Sequence, residues 1–261
     1  NPLTFDRFLT TFANSGVEVN HLQCCYAMAE TVFGVSQTQL NRTPKRICVE
    51  KSSLNIGNKI EVLPTGSDGR ELIETGKILQ NLEVTIINED GTQLDDGIIG
   101  EIAISGDFLF DGYYLNPSQT SEHLKDGVYH TRDLGFILDN SLFVLGRFDD
   151  LIIIQGRNIY GHQIESILKD VKGVKPGRTV ALGLYDEKVG SESLLLIVER
   201  DNSSSTDDST IKGEIVKVVQ SLIDVVPKVI KLVNQGWLLK TTSGKIGRLE
   251  NLKKYISEKK G

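Results

Sequence analysis

The sequence predicts an α/β chain of the α+β kind in two parts. Three observations carry that prediction. At 261 residues the chain has room for two domains of about 100–200 residues each. Between residues 82 and 147, apolar and polar residues alternate in short runs punctuated by glycine, the pattern of a small β barrel or sandwich. Beyond Arg147, apolar strand-like runs mix with helix-spaced stretches, as in a separate α+β domain.

Composition narrows the class. A hydrophobic content of 39% with 25% charged residues is ordinary for a soluble globular protein. The net charge of -6 gives no basic field for nucleic acid, and the only lysine pairs noted are Lys253-Lys254 and Lys259-Lys260. No apolar run approaches the roughly 18 residues of a spanning helix, and no signal-peptide pattern is visible. Three cysteines, with Cys24 and Cys25 adjacent, form neither a disulfide framework nor a CxxC metal site, so a reducing cytoplasm is expected. The four histidines are too scattered to suggest a ligand pair. The chain opens at Asn1 without a methionine and runs straight into a helix, so it reads as part of a longer protein.

Taken in order, Pro2 stands where a first-turn proline is tolerated. Phe5, Phe8, Leu9 and Phe12 follow at i, i+3, i+4 and i+7, an amphipathic helix stopped by Asn14-Ser15-Gly16. The cluster Cys24-Cys25-Tyr26-Ala27-Met28-Ala29-Glu30-Thr31 carries one carboxylate. Read plainly, Tyr26 and Met28 are core residues and Glu30 is an acid at a helix N-terminus. Residues 37–75 mix charges with Gly57, Pro64, Gly66 and Gly69, which predicts a surface loop with a short hairpin at Ile60-Glu61-Val62-Leu63. A connection that long is uncommon in a compact domain and is often functional. Its Ile47, Val49, Leu54, Ile56, Ile60, Val62 and Leu63 provide something to bury.

Leu82, Val84 and Ile86 alternate with Glu83, Thr85 and Ile87, and Ile102 and Ile104 alternate again after Gly100. The run Leu151-Ile152-Ile153-Ile154 is continuous, which predicts a strand covered on both faces. Arg147, Asp149 and Asp150 precede it, and Gly156 behind it permits a turn. His162-Gln163-Ile164-Glu165 opens a helix, with Ile164, Ile167 and Leu168 at helical spacing and Glu165 in the first turn, where the dipole favours an acid. Residues 179–185 and 193–199 are apolar strands separated by a turn over 186–190. A polar loop over 201–210 has no capacity to form a core. Ile211, Ile215, Val218, Val219 and Leu222 then mark a helix that ends before Pro227. In Lys240-Thr241-Thr242-Ser243-Gly244-Lys245-Ile246-Gly247-Arg248 a phosphate loop is excluded. No glycine lies five before Gly244, and Ile246 follows the lysine.

The string over 146–165, GRFDDLIIIQGRNIYGHQIE, resembles the segment joining the two domains of AMP-forming adenylating enzymes. That superfamily comprises acyl-CoA synthetases, luciferases, peptide-synthetase adenylation domains and fatty acyl-AMP ligases. The wording LIIIQGRNIY is most similar to the fatty acyl-AMP ligases. Three further strings resemble family motifs in the family's order. Tyr26-Ala27-Met28-Ala29-Glu30 resembles YGxxE, Tyr129 through Gly135 resembles YxTGDxG, and Thr241 through Arg248 resembles TxSGKxxR. Two departures are plain: Ala27 and Arg132 stand where the family has glycine.

The resemblance implies ATP-dependent activation of a fatty or other carboxylic acid to an acyl-adenylate, with pyrophosphate released. The acyl group then passes to the thiol of an acyl carrier protein or polyketide synthase. It implies ATP/AMP and Mg²⁺ as cofactors. Tyr26, Ala27 and Met28 would line the adenine, Glu30 would hold Mg²⁺, and Asp133 and Arg147 would anchor the ribose. Lys245 would be catalytic together with Glu30, and Asp149 would be the hinge. Residues 1–147 would be the end of the large domain, with the adenine and Mg²⁺ motif in 1–36, an insertion over 37–75 and a β-barrel-like subdomain over 76–147. Residues 148–261 would be the small, mobile C-terminal domain. The glycine- and hydroxyl-rich phosphate loop and acyl pocket match nothing here, which implies a chain inactive alone. The alternatives are an acyl-CoA synthetase and a non-catalytic adenylate-binding or interaction module.

Overall fold

A computed structural model of the chain describes residues 2–186, 191–241 and 244–260. Residues 187–190 of the turn expected over 186–190, and the motif residues Thr242 and Ser243, lie outside the described residues. The fold divides into two compact units, Asn1–Phe148 and Asp149–Gly261.

The first unit opens with helix α1 (Pro2–Phe12). Its apolar stripe is only partly used: Phe5 and Leu9 are half-buried, whereas Phe8 and Phe12 stay exposed and pair with each other. Strands β1 (Cys25–Ala27), β2 (Gly34–Gln37), β3 (Arg46–Val49), β4 (Val62–Leu63), β5 (Arg70–Ile73) and β6 (Lys77–Ile78) follow. They form two small sheets, β1-β2-β6 and β4-β3-β5. The hairpin expected at residues 60–63 is not there. Val62 and Leu63 pair instead with Val49 and Cys48 of β3. β3 carries the buried Ile47, Cys48 and Val49, so its backbone groups on both edges need partners, and β4 and β5 supply them.

Next come β7 (Leu82–Ile87), β8 (Gly100–Gly106), helix α2 (Pro117–His123), β9 (Leu124–Lys125), β10 (Val128–Leu138) and β11 (Ser141–Arg147). These strands make one antiparallel sheet of order β11-β10-β8-β7, with β9 on β10. The segment before β6 is bonded to this sheet: the Thr75 N–H donates to the Leu142 carbonyl at 2.8 Å, and the Gly57 N–H to the Ile99 carbonyl at 2.8 Å. Gly76 (φ +95°) passes so close to the Gln37–Thr38 backbone that a Cβ would lie 2.1 Å from it.

The second unit begins with a hairpin, β12 (Leu151–Ile154) and β13 (Arg157–Tyr160), turned by Gln155 and Gly156, both at positive φ. The expectation of a strand covered on both faces fails here. Ile152 is buried but Ile153 is 46% exposed, because a two-stranded ribbon is covered on one face only. Helix α3 (Gly161–Leu168) starts one residue early enough to put Glu165 in its second turn. Glu165 therefore answers to a side-chain partner described below rather than to the dipole. Strands β14 (Val174–Asp186) and β15 (Ser191–Arg200), helix α4 (Asp208–Ile223), strand β16 (Val229–Val233) and helix α5 (Arg248–Lys260) complete the unit. Central β15 is antiparallel to β14 and parallel to β16, and Leu194 through Val198 are buried on both faces. One face packs on α3 and α4 through Ile164, Leu168, Ile211, Ile215 and Val219. The other packs on Leu238, Leu252 and Tyr255. Asp207 caps α4 by accepting from the N–H groups of Ser209 and Thr210.

No helix among the described residues is long and apolar enough to cross a membrane.

Candidate functional site

Two side chains from different strands of the first unit meet at the carboxylate of Asp133. The Tyr26 hydroxyl donates to Asp133 Oδ2 at 2.5 Å, and Arg147 Nε donates to Asp133 Oδ1 at 3.2 Å. Strand pairing explains the second contact, since β10 and β11 set Asp133 opposite Arg147. Burial explains the first. Tyr26 is the middle residue of β1, 9% exposed, and its ring packs with Val84, Ile86 and Ile102, leaving only the hydroxyl to reach out. Tyr26 is thus a core residue whose hydroxyl also bonds Asp133. Burial, and then the Asp133 charge that its proton faces, push its phenol far above the ordinary tyrosine range, so it stays a donor.

Asp133 is aimed by a break in the ladder. The β10–β8 register shifts between His130 and Leu134. Within that bulge, the Thr131 hydroxyl donates to the Ile102 carbonyl at 2.6 Å and accepts from the Asp133 N–H at 3.0 Å. The Arg132 N–H donates to Glu101 Oε1 at 2.8 Å. Arg132 sits at φ +56°, the left-handed region that glycine occupies freely. The bulge therefore keeps a backbone suited to glycine, while the guanidinium lies over the Phe148 ring, 5.1 Å from its centroid.

Glu30 belongs to a second cluster. It lies in a single 3-10 turn, Ala29–Thr31, and its Oε1 accepts from the Tyr113 hydroxyl at 2.8 Å and the Tyr129 hydroxyl at 3.2 Å. Its backbone carbonyl accepts the Phe110 N–H at 2.9 Å. Directly after it Val32, at φ +66°, ψ −51°, is the centre of a γ-turn closed by the Phe33 N–H on the Thr31 carbonyl at 2.7 Å. That conformation is strained for a β-branched residue, and Val32 is 80% exposed. Ala27 is exposed, and Met28 is half-buried against the Tyr26 cluster. A lone carboxylate held in this way suits a hard cation that brings phosphate and water oxygens as its other ligands. Among the described residues no group of three or more His, Cys, Asp or Glu could hold a metal by itself.

Asp149 and Lys245 belong to the second unit. Asp149 is exposed within a single 3-10 turn, Phe148–Asp150. Lys245 is exposed on a closed loop: its carbonyl accepts the Thr241 N–H at 2.7 Å, Gly244 (φ +82°) donates to the Thr241 carbonyl at 2.9 Å, and Lys240 bridges Ile246. The neck is bolted by Asn251, wholly buried, whose side chain pairs both ways with the Leu239 backbone and donates to the Gly247 carbonyl. Buried Glu199 accepts the Gly236 and Leu238 N–H groups just before the loop. Arg248 closes the other side. It donates to Glu165 twice (2.5 and 2.9 Å), to Asp150 from Nε at 2.9 Å and to the Ala181 carbonyl at 2.9 Å.

Several supporting residues have no distinguishing signal in the sequence. Tyr129 and Thr131 stand inside a motif, and Arg248 ends one, but Tyr113, Glu101, Asn251 and Glu199 are marked by nothing except the contacts that folding creates.

No family model matches the chain. It is 27% identical over 274 residues to a 4-hydroxyphenylalkanoate adenylyltransferase of Mycobacterium tuberculosis, covering 98% of this chain and 43% of that protein. It is 29% identical to the long-chain-fatty-acid–AMP ligase FadD26 of Mycobacterium tuberculosis, covering 98% of this chain and 46% of the relative. The chain thus spans less than half the length of these relatives. Among solved structures, fatty acyl-adenylate ligases from E. coli and L. pneumophila superpose with a TM-score of 0.81 at 27% identity, covering 98% of this chain and 45% of theirs. A keto acid-selecting NRPS module with adenylation and ketoreductase domains superposes at 0.86 with 26% identity, covering 99% of this chain and 22% of its own. Along nearly its whole length, then, the chain is similar to the fatty acyl-AMP ligases and adenylation domains of the AMP-forming adenylating superfamily.

Proposed function

We propose that this chain supplies the ribose-anchoring and second-unit parts of an enzyme that converts a fatty or other carboxylic acid and ATP to an acyl-adenylate and pyrophosphate. The convergence of Tyr26 and Arg147 on Asp133 carries the reading. An ionised carboxylate offers about four lone-pair sites. Tyr26 and Arg147 each bond one oxygen of Asp133, and a carboxylate aimed in this way can also accept the hydroxyls of a ribose. Tyr26 acts through its hydroxyl, since its ring lies in the core, and the exposed Ala27 and half-buried Met28 beside it are what the strand offers an adenine. Glu30, oriented by Tyr113 and Tyr129, would hold Mg²⁺, which would supply positive charge to screen the phosphates.

In the first half-reaction a carboxylate oxygen of the acid bonds to the α-phosphorus as the bond to the bridging oxygen breaks, and the electron pair leaves with pyrophosphate. Both reactants are anions, so a positioned cation is needed where they meet. Lys245, on its braced loop, is that charge. In the second half-reaction the second unit turns about Asp149, and a carrier thiolate bonds to the acyl carbon while AMP departs. The NRPS module among the fold neighbours supports a carrier-bound acceptor. The sheet β4-β3-β5 within residues 37–75, bonded to the rest of the first unit, is read as an insertion that favours a carrier over coenzyme A.

The test uses the full-length protein with a panel of fatty acids. Lys245→Ala should lower pyrophosphate release by about 10²–10³ without unfolding the protein. Asp133→Ala should weaken ATP binding, and 2′- or 3′-deoxy-ATP should lose less affinity on that variant than on wild type. A wild-type protein that releases no pyrophosphate with any acid, or a Lys245→Ala variant at the wild-type rate, overturns the reading. Efficient acyl-CoA formation by the intact enzyme would replace the carrier with coenzyme A.

A further inference from the structure

We infer that Arg248 is a positioning residue: it ties the loop bearing Lys245 to the chain just after Asp149, so that hinge and lysine move as one body. The inference rests on the acid-activating reading above and adds to it a residue that acts through Lys245.

The geometry is specific. Arg248 follows Lys245 by three residues and begins α5. Its guanidinium binds three separate segments of the second unit: Asp150 beside the proposed hinge, Glu165 on α3 and the Ala181 carbonyl on β14. The contact with Glu165 is the forked, two-bond form that fixes a guanidinium in plane as well as in place. Glu165 Oε1 also accepts the Ala181 N–H at 2.9 Å, which closes a ring of bonds around the arginine. The space is cut to fit. Gly161 lies beside the guanidinium, and a Cβ there would stand 2.8 Å from Nη1 and 3.0 Å from the Ala181 carbonyl. The arginine is mostly buried, at 17% exposure. Burial works against its charge, and Glu165 and Asp150 more than offset that, leaving its pKa above the ordinary arginine value.

A lysine that must meet a developing charge is useful only if its backbone is held to a fraction of an ångström. Asn251 holds the neck of the loop to itself, but it does not refer the loop to the hinge. Arg248 does. Its Nε–Asp150 bond joins the end of the Lys245 loop to the residue that follows Asp149, across about a hundred residues of chain. A lysine in its place would keep the charge and lose the fork.

The test is a double-mutant cycle in the full-length protein, read as kcat for pyrophosphate release, with KM for ATP and thermal unfolding followed alongside. Arg248→Gln should lower kcat roughly 10–100-fold, the scale of an ångström-sized misplacement, with little change in KM for ATP, and Arg248→Lys should recover only part of the loss. Combined with Lys245→Ala, Arg248→Gln should add nothing further, because its effect runs through the lysine. Asp150→Asn removes only the arm to the hinge side, at a half-exposed carboxylate that threatens the fold least. It should show a smaller loss that is again absent in the Lys245→Ala background. Losses that multiply in both double variants would make Arg248 a general brace and overturn the inference. So would an Asp150→Asn or Arg248→Gln variant at the wild-type rate. Lys245→Ala at the wild-type rate would instead remove the acid-activating reading, and this inference with it.

Discussion

At the scale of single residues, Arg132 is the instructive case, because two energies of similar size oppose one another there. Its left-handed backbone costs a non-glycine residue about 1–2 kcal/mol. The stack on Phe148 returns about 0.5–1 kcal/mol, and a side chain in place of glycine lowers the entropy of the unfolded chain by about 0.4–1 kcal/mol. The terms nearly cancel. Arg132→Gly should therefore change stability by less than about 1 kcal/mol in denaturant titration, and it should leave ATP affinity unaltered, since the guanidinium faces Phe148. Arg132→Val should be clearly worse than either, as a β-branched residue resists positive φ. A large gain in ATP affinity for Arg132→Gly would show that the arginine crowds the nucleotide.

Elements show how a weak local signal acquires a place. Nothing in Gly76 distinguishes it from the other glycines, yet it joins β6 to the segment before it at a point where two backbones nearly touch. Gly76→Ala must both hold φ +95° with a Cβ and move the Gln37–Thr38 peptide. A loss of at least about 2 kcal/mol is expected in chemical denaturation. Gly57→Ala supplies the control, because positive φ is its only constraint and no atom lies within 4 Å of its Cβ position. It should cost less. Equal losses at the two positions would mean that the close approach is relaxed easily.

On the scale of the whole molecule, the division between Phe148 and Asp149 sets the experiment. A residue that works as a hinge must adopt two backbone states, and proline holds φ near −65°. Asp149→Pro should spare either adenylate formation or acyl transfer to a carrier and impair the other by roughly tenfold or more, the scale on which a lost orientation registers. The two half-reactions are measured separately, by pyrophosphate release and by loading of a carrier. An equal fall in both, with a lower melting temperature, would make Asp149 structural only.

Local chemistry made part of this legible from the sequence. Alternation over residues 82–87 and 100–106 marked strands through Val84, Ile86, Ile102 and Ile104, which share the core face, although Ile87 and Ala103 are buried too. Helical spacing at Ile211, Ile215 and Val219 marked α4, and Gln155-Gly156 is a turn because of what glycine permits. Motif order brought Tyr26, Asp133 and Arg147 forward before their contacts were visible. Only the tertiary structure decided the rest. Whether Ile153 is covered depends on how many strands lie beside it, and Val62 could pair only with whichever strand needed an edge. Glu165 and Arg248 lie 83 residues apart, and Tyr113 and Tyr129 reach Glu30 across 83 and 99. Periodicity reports a residue's own turn or strand, whereas a hydrogen bond across such distances exists only once loop closure has brought both partners to one place.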